Sequence, residues 1–330
     1  MAKLSDVAKK AGVSVTTVSR VINNYGSLSE KTKNAVFTAM HELNYQPNSL
    51  ARSLQGKQTK LVGVIFPSIT NPFYAELIAD IEDKLFKNGY KVILCNANEN
   101  AEKELSYLRM LTANQVDGII VGTHSNEIKE YQTMDLPVVS FDRTLGTKIP
   151  TISSDNFQGA QLAAQELVDS GATNIYFIGK THLGSAKNPT DLREKGFAKT
   201  LEQNSLEPHY LDLNNDLSNN IKKMKIRDFL TNTPTVDGVF TSDDFTALLV
   251  MEVAQDLGIE VPSALKVIGF DGTQLIQSFH PELSTIAQPI QDIAELLIGT
   301  LDERINKHKE FENAKLVLPN KLIKSNSTQK

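Results

Sequence analysis

The sequence predicts an α/β protein in two unequal parts, a head of three short helices followed by a body of two doubly wound parallel sheets. Three observations carry this. Residues 1–46 read as three short helices, with apolar side chains recurring at helical spacing. From Lys60 onward, short apolar runs alternate with amphipathic stretches, the rhythm of parallel strands joined by right-handed helical crossovers. After residue 158 that rhythm restarts, so two similar lobes are expected.

In the head, Leu4, Val7, Ala8 and Ala11 recur at helical spacing, with Ser5 placed to cap the first turn. Gly12 ends that helix, because glycine turns cheaply through positive φ. Ser14 is placed to cap a second helix, Val15 to about Asn23, whose inner face is Val18, Val21 and Ile22. Ser29 caps a third, running to about Leu43, with Ala35, Val36, Ala39, Met40 and Leu43 inward. Two helices joined by a short glycine turn make a helix-turn-helix. The second of them points Val15, Thr16, Thr17, Ser19, Arg20 and Asn23 outward. These are small side chains around one arginine, a surface suited to a major groove: arginine pairs with both acceptors of guanine, and hydroxyls reach phosphates. Taken alone, helix–glycine–helix also fits any small helical bundle. Pro47 stops the third helix, and Asn48 can cap a two-turn helix from Ser49 to Gln55, too short to be stable in isolation.

In the body, strands are expected at Leu61–Phe66, Lys91–Leu94, Gly118–Val121 and Pro137–Phe141, with helices over 73–88 and 99–113 between them. The second set comprises helix 159–170, strand Ile175–Ile178, helix 190–203, strand Gly238–Thr241, helix 244–257 and strand Lys266–Phe270. Helix 289–306 and strand Leu316–Leu318 return to the first lobe before the chain ends in the second. The division is therefore 1–46 for the head, 47–59 for a hinge, 60–158 with about 289–318 for one lobe, and 159–288 with 319–330 for the other.

Ligands of such sheets bind beyond the carboxyl ends of the strands. There the sequence puts Phe73 and Tyr74, Asp142, Asp155, Asp243 and Asp271, with Arg193 on the helix over 190–203. Carboxylates accept from vicinal hydroxyls, arginine donates to them and an aromatic face covers C–H groups, so the set suits a sugar. Any single one of these aspartates is equally a helix N-cap.

Hydrophobic residues make up 40% and charged residues 22%, the balance of an ordinary globular chain. No run is long enough to span a membrane, the N-terminus lacks the apolar core of a signal peptide, and Cys95 stands alone. A soluble cytoplasmic protein is expected. The net charge of −5 conceals a split: residues 1–60 carry nine basic groups against three acidic ones, +6, which leaves −11 on the rest. A basic head fits DNA, and equally a solvated face. The six histidines show no metal or triad spacing and no phosphate loop is present, so binding is expected rather than turnover, with no metal and no cofactor. A carrier working outside the cell would lack the basic head.

The string Leu4-Ser-Asp-Val-Ala-Lys-Lys-Ala-Gly-Val-Ser-Val-Thr-Thr-Val-Ser-Arg-Val-Ile-Asn23, continued by Glu42-Leu-Asn-Tyr-Gln-Pro-Asn48 and Ala51-Arg-Ser-Leu-Gln-Gly56, resembles the head of LacI/GalR family transcription repressors. The resemblance implies contacts to double-stranded operator DNA from Ser5, Ser14, Val15, Thr16, Thr17, Ser19, Arg20, Asn23, Asn48, Ala51, Leu54 and Lys57. In that family the hinge helix orders on a pseudo-palindromic operator, and the leucine at the Leu54 position wedges open a minor-groove step, a general kinking device; without the resemblance, Leu54 reads as an ordinary linker residue. Asn71-Pro-Phe-Tyr74, Phe141-Asp142, Ser242-Asp-Asp244 and Ile268-Gly-Phe-Asp-Gly272 are similar to its effector-pocket strings, on a body akin to periplasmic sugar-binding proteins. The family implies effector contacts from Phe73, Asp142, Arg193 and Asp271, with Asp155 and Asp243 serving either ligand or scaffold. Many relatives stack an aromatic on the ligand near 212–217, where this chain offers Leu213 and Leu217. Leu50-Ala-Arg-Ser-Leu-Gln-Gly-Lys57, Ser153-Ser-Asp-Asn-Phe157 and Ala287-Gln-Pro-Ile290 look closest to sucrose-operon repressors of Gram-positive bacteria. The resemblance thus implies a homodimeric repressor of a sugar-utilisation operon, released from DNA by a sugar or sugar-phosphate inducer. The alternatives are a corepressor-dependent relative and a sugar-binding protein without a DNA role. The tail Lys324–Lys330 lacks the apolar heptads of tetrameric relatives.

Overall fold

The computed structural model describes residues 2–22, 25–46, 58–123, 128–181, 191–214 and 217–329. The chain divides into two compact units, Met1–Thr59 and Lys60–Lys330. In the first, α1 (Leu4–Ala11), α2 (Val15–Ile22) and α3 (Glu30–Glu42) pack around Val7, Val18 and Val36, all three fully buried. Gly12 closes α1 at φ 68°, where any side chain would be strained. Ser14 Oγ accepts the Thr17 N–H at 3.0 Å, and Ser29 Oγ accepts that of Thr32 at 3.2 Å, the two caps the spacing predicts.

The cap of α1 is a correction. The helix begins at Leu4, which puts Ser5 inside its first turn on the exposed side. Asp6 closes the end instead, its carboxylate accepting the Lys3 N–H at 2.8 Å. A negative charge at a helix N-terminus is favourable because it faces the partial positive charge of the unpaired N–H groups. Asn23, Asn48, Ala51, Leu54 and Lys57 lie outside the described residues, and so does the expected hinge helix.

The body runs β1 (Leu61–Phe66), α4 (Pro72–Lys87), β2 (Lys91–Asn96), α5 (Ala101–Ala113), β3 (Gly118–Val121), the short α6 (Glu130–Thr133), β4 (Val138–Phe141) and β5 (Thr151–Ser154). It then crosses into α7 (Asn156–Asp169), β6 (Ile175–Gly179), α8 (Leu192–Gln203), β7 (His209–Asp212), α9 (Asn219–Asn232), β8 (Gly238–Thr241), α10 (Asp244–Asp256), β9 (Lys266–Asp271), α11 (Gln274–Phe279) and β10 (Ser284–Ala287). It returns for α12 (Ile290–Lys307) and β11 (Lys315–Leu318), then crosses a last time into β12 (Lys321–Ile323). The described residues thus form two six-stranded sheets, β11-β5-β4-β3-β1-β2 and β12-β10-β9-β8-β6-β7. Every pairing is parallel except β10 with β12. The strands read as continuous apolar runs because helices cover both faces of each sheet. One face of the first sheet meets α4 and α12 around Phe66, Leu77 and Leu297, and the other meets α5 and α6 around Ile119, Leu111 and Tyr131. In the second lobe, α7 and α8 cover one face, and α9, α10 and α11 the other.

One polar cluster lies wholly inside the first lobe. Arg143, at 0% exposure, donates from Nη1 to Glu104 Oε1 at 2.8 Å and to Thr123 Oγ1 at 2.7 Å. The Tyr131 hydroxyl donates to the same carboxylate oxygen at 2.8 Å. The backbone carbonyl of Arg143 in turn accepts from the hydroxyls of Ser140 and Thr151. The cluster therefore pins the turn that follows β4. Removing one member of a buried ion pair strands the other charge and costs about 3–5 kcal/mol. Glu104→Ala should accordingly lower the urea-unfolding free energy of the body by about that amount, and a loss below about 1 kcal/mol would show that Arg143 finds water or another partner.

Candidate functional site

The head presents the outer face of α2. Val15 is 46% exposed, and Thr16 and Arg20 are exposed beside it, while Thr17 and Ser19 sit half-buried at its margin. Val18 and Val21 turn inward, so the helix divides into a buried apolar stripe and a short-chained outer one. The Lys10–Glu42 ion pair, 2.7 Å, ties α1 to α3 behind that face. Such a helix, with one guanidinium among short side chains, can approach base edges closely.

In the body, the carboxyl ends of the strands converge on one cluster. Asp142 follows β4 with φ at 49° and is 2% exposed. Its Oδ1 accepts from Asn156 Nδ2 at 3.4 Å, and Asn156 Oδ1 accepts from Arg193 Nε at 2.7 Å. Arg193 lies with its guanidinium 3.7 Å from the centroid of the Phe270 ring and donates from Nη1 to the Ser242 carbonyl at 2.6 Å. Its Nη1 also faces Asp271 Oδ1 at 3.9 Å. Asp271 ends β9 at φ 113°, and its Oδ1 accepts from Gln288 Nε2 at 2.8 Å. Gln288 Oε1 accepts from Ser154 Oγ at 2.6 Å, which carries the chain of hydrogen bonds back to the first lobe. Gly272 makes the sharp turn after Asp271 possible: it adopts φ 61°, a Cβ there would run into Ala287, and its N–H donates to Asp244 Oδ2 at 2.8 Å.

Burial governs the charges. Loss of solvent pushes the Asp142 carboxyl up to about 7, against the opposing pull of Arg193 and the Asn156 hydrogen bond. Burial likewise raises Asp244 to about 7, although the Thr285 hydroxyl and the Gly272 N–H favour its charged form. Asp271 too is raised well above the ordinary carboxylate range by burial, against the pull of Arg193 and with Asp244 and Asp243 adding to the rise. Burial, followed by the charges of Asp142 and Asp271, pushes up the Tyr74 hydroxyl. Asp142, Asp271 and one guanidinium thus act on the end of a tyrosine. Among the described residues no group of histidine, cysteine or carboxylate side chains has a metal-binding arrangement, and no helix is long and apolar enough to cross a membrane.

Residues 3–48 match the model of bacterial regulatory proteins of the lacI family, and residues 164–328 match the periplasmic binding protein-like domain. The chain is 53% identical to the sucrose operon repressor of Pediococcus pentosaceus, over 98% of each sequence. The chain belongs to the lacI family. Its fold superposes on the lac repressor dimer bound to operator and the anti-inducer ONPF with a TM-score of 0.84, at 26% identity over 99% of both chains. A periplasmic binding protein/LacI transcriptional regulator from Alkaliphilus metalliredigens, complexed with D-xylulofuranose, matches at 30% identity and TM-score 0.73, over 82% of this chain and 100% of that one. LacI family members are regulators, and this chain is a DNA-binding regulator rather than an enzyme.

The expected effector residues separate by position. Asp142, Arg193 and Asp271 are brought together, with the half-buried Tyr74 beside them. Phe73 is 4% exposed and packs in the first lobe against Phe141, ring centroids 5.7 Å apart. Asp155 caps α7 through the Gln158 N–H, and Asp243 caps α10 through the Thr246 N–H. Leu213 is buried in the second lobe's core, with Leu217 packed against the same cluster. Asn156, Gln288, Asp244 and Phe270 do more in the cluster than their sequence context signals. Asn156 and Asp244 each directly follow an aspartate at a strand end and fall within strings that resemble the family, but no role is legible for either from sequence.

A carboxyl raised from 3.8 to about 7 on folding stabilises the fold fully below the lower value, and that contribution is lost as pH rises through the higher one. The ligand-free protein should therefore lose a few kcal/mol of stability between about pH 4 and 7, and Asp142→Asn should flatten that part of the profile. Thermal melts across this range, wild type against variant, read the difference directly; parallel profiles would show that Asp142 ionises as freely in the fold as outside it.

Proposed function

We propose that the chain represses a sugar-utilisation operon, with sucrose the first candidate, and leaves its operator when a sugar binds between the lobes. The observation that carries this is the buried cluster of Asp142 and Asp271, at the carboxyl edges of the two sheets, with Arg193 from α8 between them. Carboxylates accept from adjacent hydroxyls, Arg193 donates, and Tyr74 closes the side. The named role of the Pediococcus pentosaceus relative, and the sugar held by the Alkaliphilus structure, support the same reading. On it, residues 1–46 read operator DNA and 47–59 are the hinge, with Leu54 the wedge. Residues 60–158 with about 289–318 form one effector lobe, and 159–288 with 319–330 the other. The protein works in the cytoplasm as a homodimer on two half-sites.

Within the head, Arg20, Val15 and Thr16 meet base edges, while Ser5, Ser14, Thr17, Ser19, Asn23, Asn48, Ala51 and Lys57 position the backbone. Arg20→Ala should cost about 1–3 kcal/mol of operator binding and relax preference at one base pair, whereas Lys57→Ala should weaken all sequences alike. Footprinting on operator variants separates the two, and an unchanged base preference in Arg20→Ala would contradict the assignment.

Removal of one partner from a buried charged hydrogen bond costs about 1.5–3 kcal/mol, so Arg193→Ala should weaken sugar binding roughly tenfold or more. The variant should still hold operator and no longer respond to inducer. An operator titration with and without sucrose or fructose tests this. Loss of DNA binding by a well-folded, sugar-free Arg193→Ala protein would favour a corepressor over an inducer.

A further inference from the structure

Lys60 is the first residue of the body, so the expected hinge, 47–59, joins the first lobe there. Its backbone is unusual. Lys60 adopts φ 58°, a left-handed conformation that a non-glycine residue keeps only where its surroundings over-determine it. Three neighbours do so. The Lys60 N–H donates to Asp117 Oδ2 at 2.9 Å, its carbonyl accepts the Lys91 N–H at 2.8 Å, and its ammonium lies 4.2 Å from the centroid of the buried Tyr90 ring. Asp117 stands just before β3 and Lys91 begins β2, the two strands that flank β1. The point of entry is therefore held from both sides of the sheet.

The second lobe supplies an internal comparison. Val116-Asp-Gly118 recurs there as Val236-Asp-Gly238. Asp237 likewise holds the residues that lead into a central strand, accepting the N–H groups of Thr173 and Asn174 at 2.9 and 2.8 Å just before β6. That entry follows α7, within the same lobe, and its residues lie outside the left-handed region. In the first lobe the same motif holds a left-handed residue at the one place where the body continues toward the head. Strain of this kind collects where a conformation serves function.

We propose that Lys60 and Asp117 are positioning residues that fix the direction in which the hinge leaves the body, so that movement of the first lobe is passed on to the DNA-binding head. What this says of sugar rests on the inducer reading above; what it says of DNA does not. Strand β1 is laddered to β2 along its whole length and to β3 from Val62 to Ile65, so it moves with its lobe as one piece. Coupling between distant sites is carried by such rigid elements. A clamped start turns a shift of β1 into a defined shift of the hinge's origin. A loose start absorbs it by rotation about the Lys60 backbone bonds.

Fixing the backbone of one residue is worth about five- to thirtyfold in an equilibrium constant, and a freed hinge must meet that cost when it binds operator. In fluorescence titrations of the full chain without sugar, Asp117→Ala should therefore bind operator about tenfold more weakly. Asp117→Asn keeps an acceptor for the Lys60 N–H and should stay within about threefold of wild type. Asp237→Ala strips several hydrogen bonds from the other strand entry and should stay within about twofold once folded, as checked by its melt. Should Asp117→Ala not fold, Lys60→Gly against Lys60→Ala decides: both lose the ammonium, and only glycine frees the backbone, so it should bind about fivefold more weakly. Equal operator losses in Asp117→Ala and Asp237→Ala, no loss in Asp117→Ala, or no difference between the two Lys60 variants would overturn the inference. Sucrose or fructose, whichever releases the wild type, should shift operator affinity in Asp117→Ala by no more than about a third of the wild-type factor, while its own affinity for the DNA-free variant is unchanged. A full response in that variant overturns the inference and leaves the sugar reading standing. If neither sugar releases the wild type, the inducer reading fails and the sugar-free titrations alone decide the role of Lys60 and Asp117.

Discussion

The hydrogen bonds that lace the chain crossings between the two sheets are the constraint on which the rest of the body depends. The chain passes between lobes at Ser154–Asn156, at Ala287–Ile290 and at Leu318–Lys321. Ser154 Oγ donates to Gln288 at 2.6 Å, the Asp155 N–H donates to the Leu318 carbonyl at 2.7 Å, and Asn320 Nδ2 donates to the Asp155 carbonyl at 2.7 Å. Each crossing is thus hydrogen-bonded to another. Because every segment after the first crossing depends on a partner from a different stretch of chain, neither sheet can be completed without the other: β11 closes the first sheet only after the second has been built, and β12 closes the second only after that return. The same lacing fixes which strand ends face the cleft, and so which side chains meet there.

That placement explains the electrostatics. Asp142 and Asp271 both sit just where a strand stops, on backbone at positive φ, a conformation that costs non-glycine residues about 1–3 kcal/mol. Such conformations persist only when the surroundings over-determine them. For Asp142 the surroundings are the buried Arg143–Glu104 cluster, which anchors the next carbonyl through Ser140 and Thr151. For Asp271 they are Gly272, whose N–H is held by Asp244, and the Gln288 N–H, which donates to the Asp271 carbonyl at 3.1 Å. Neither carboxylate is stabilised by its own ionisation, as their raised titration shows. They are held in place by backbone and by neighbours rather than by solvation of their charge.

Much of this was legible from the residues. Runs such as Leu61–Phe66 and Lys266–Phe270 announce buried strands because apolar side chains on both faces leave no other stable home. The caps Ser14 and Ser29 were equally plain. What escaped was whatever tertiary context decides. The strands β5, β7, β10 and β12 read Thr-Ile-Ser-Ser, His-Tyr-Leu-Asp, Ser-Thr-Ile-Ala and Lys-Leu-Ile, too short or too polar to declare themselves, and they exist because a neighbouring strand offers its hydrogen bonds. Helix α9 escaped too, since Ile226, Phe229 and Leu230 form only a narrow apolar stripe among charges. At the site, Asp142, Arg193 and Asp271 could be named from position alone. Asn156 and Gln288 could not, because an amide becomes meaningful only when its two neighbours, distant in sequence, are known.

The lobes also meet away from the crossings. Glu76 on α4 accepts the N–H of Gln274, the first residue of α11, at 2.9 Å, and burial raises the Glu76 carboxyl despite that bond. A ligand shifts the balance between two arrangements only by the difference in its affinity for them. One that touched Arg193 and Asp271 alone would bind the second lobe equally well in any arrangement and could not act as a switch. A ligand that also engages Asp142 or Tyr74, which belong to the first lobe, binds best where Asn156 joins Asp142 to Arg193 and Glu76 reaches Gln274. For a ligand held as proposed, the coupling would be set by the first-lobe contacts, however much of the binding energy came from the second. By linkage, whatever factor the ligand imposes on DNA affinity must be returned by DNA on ligand affinity. On the proposed function, specificity and signalling separate in this cleft: Arg193 and Asp271 would govern which hydroxyls are recognised, and Asp142 and Tyr74 whether that recognition is felt elsewhere.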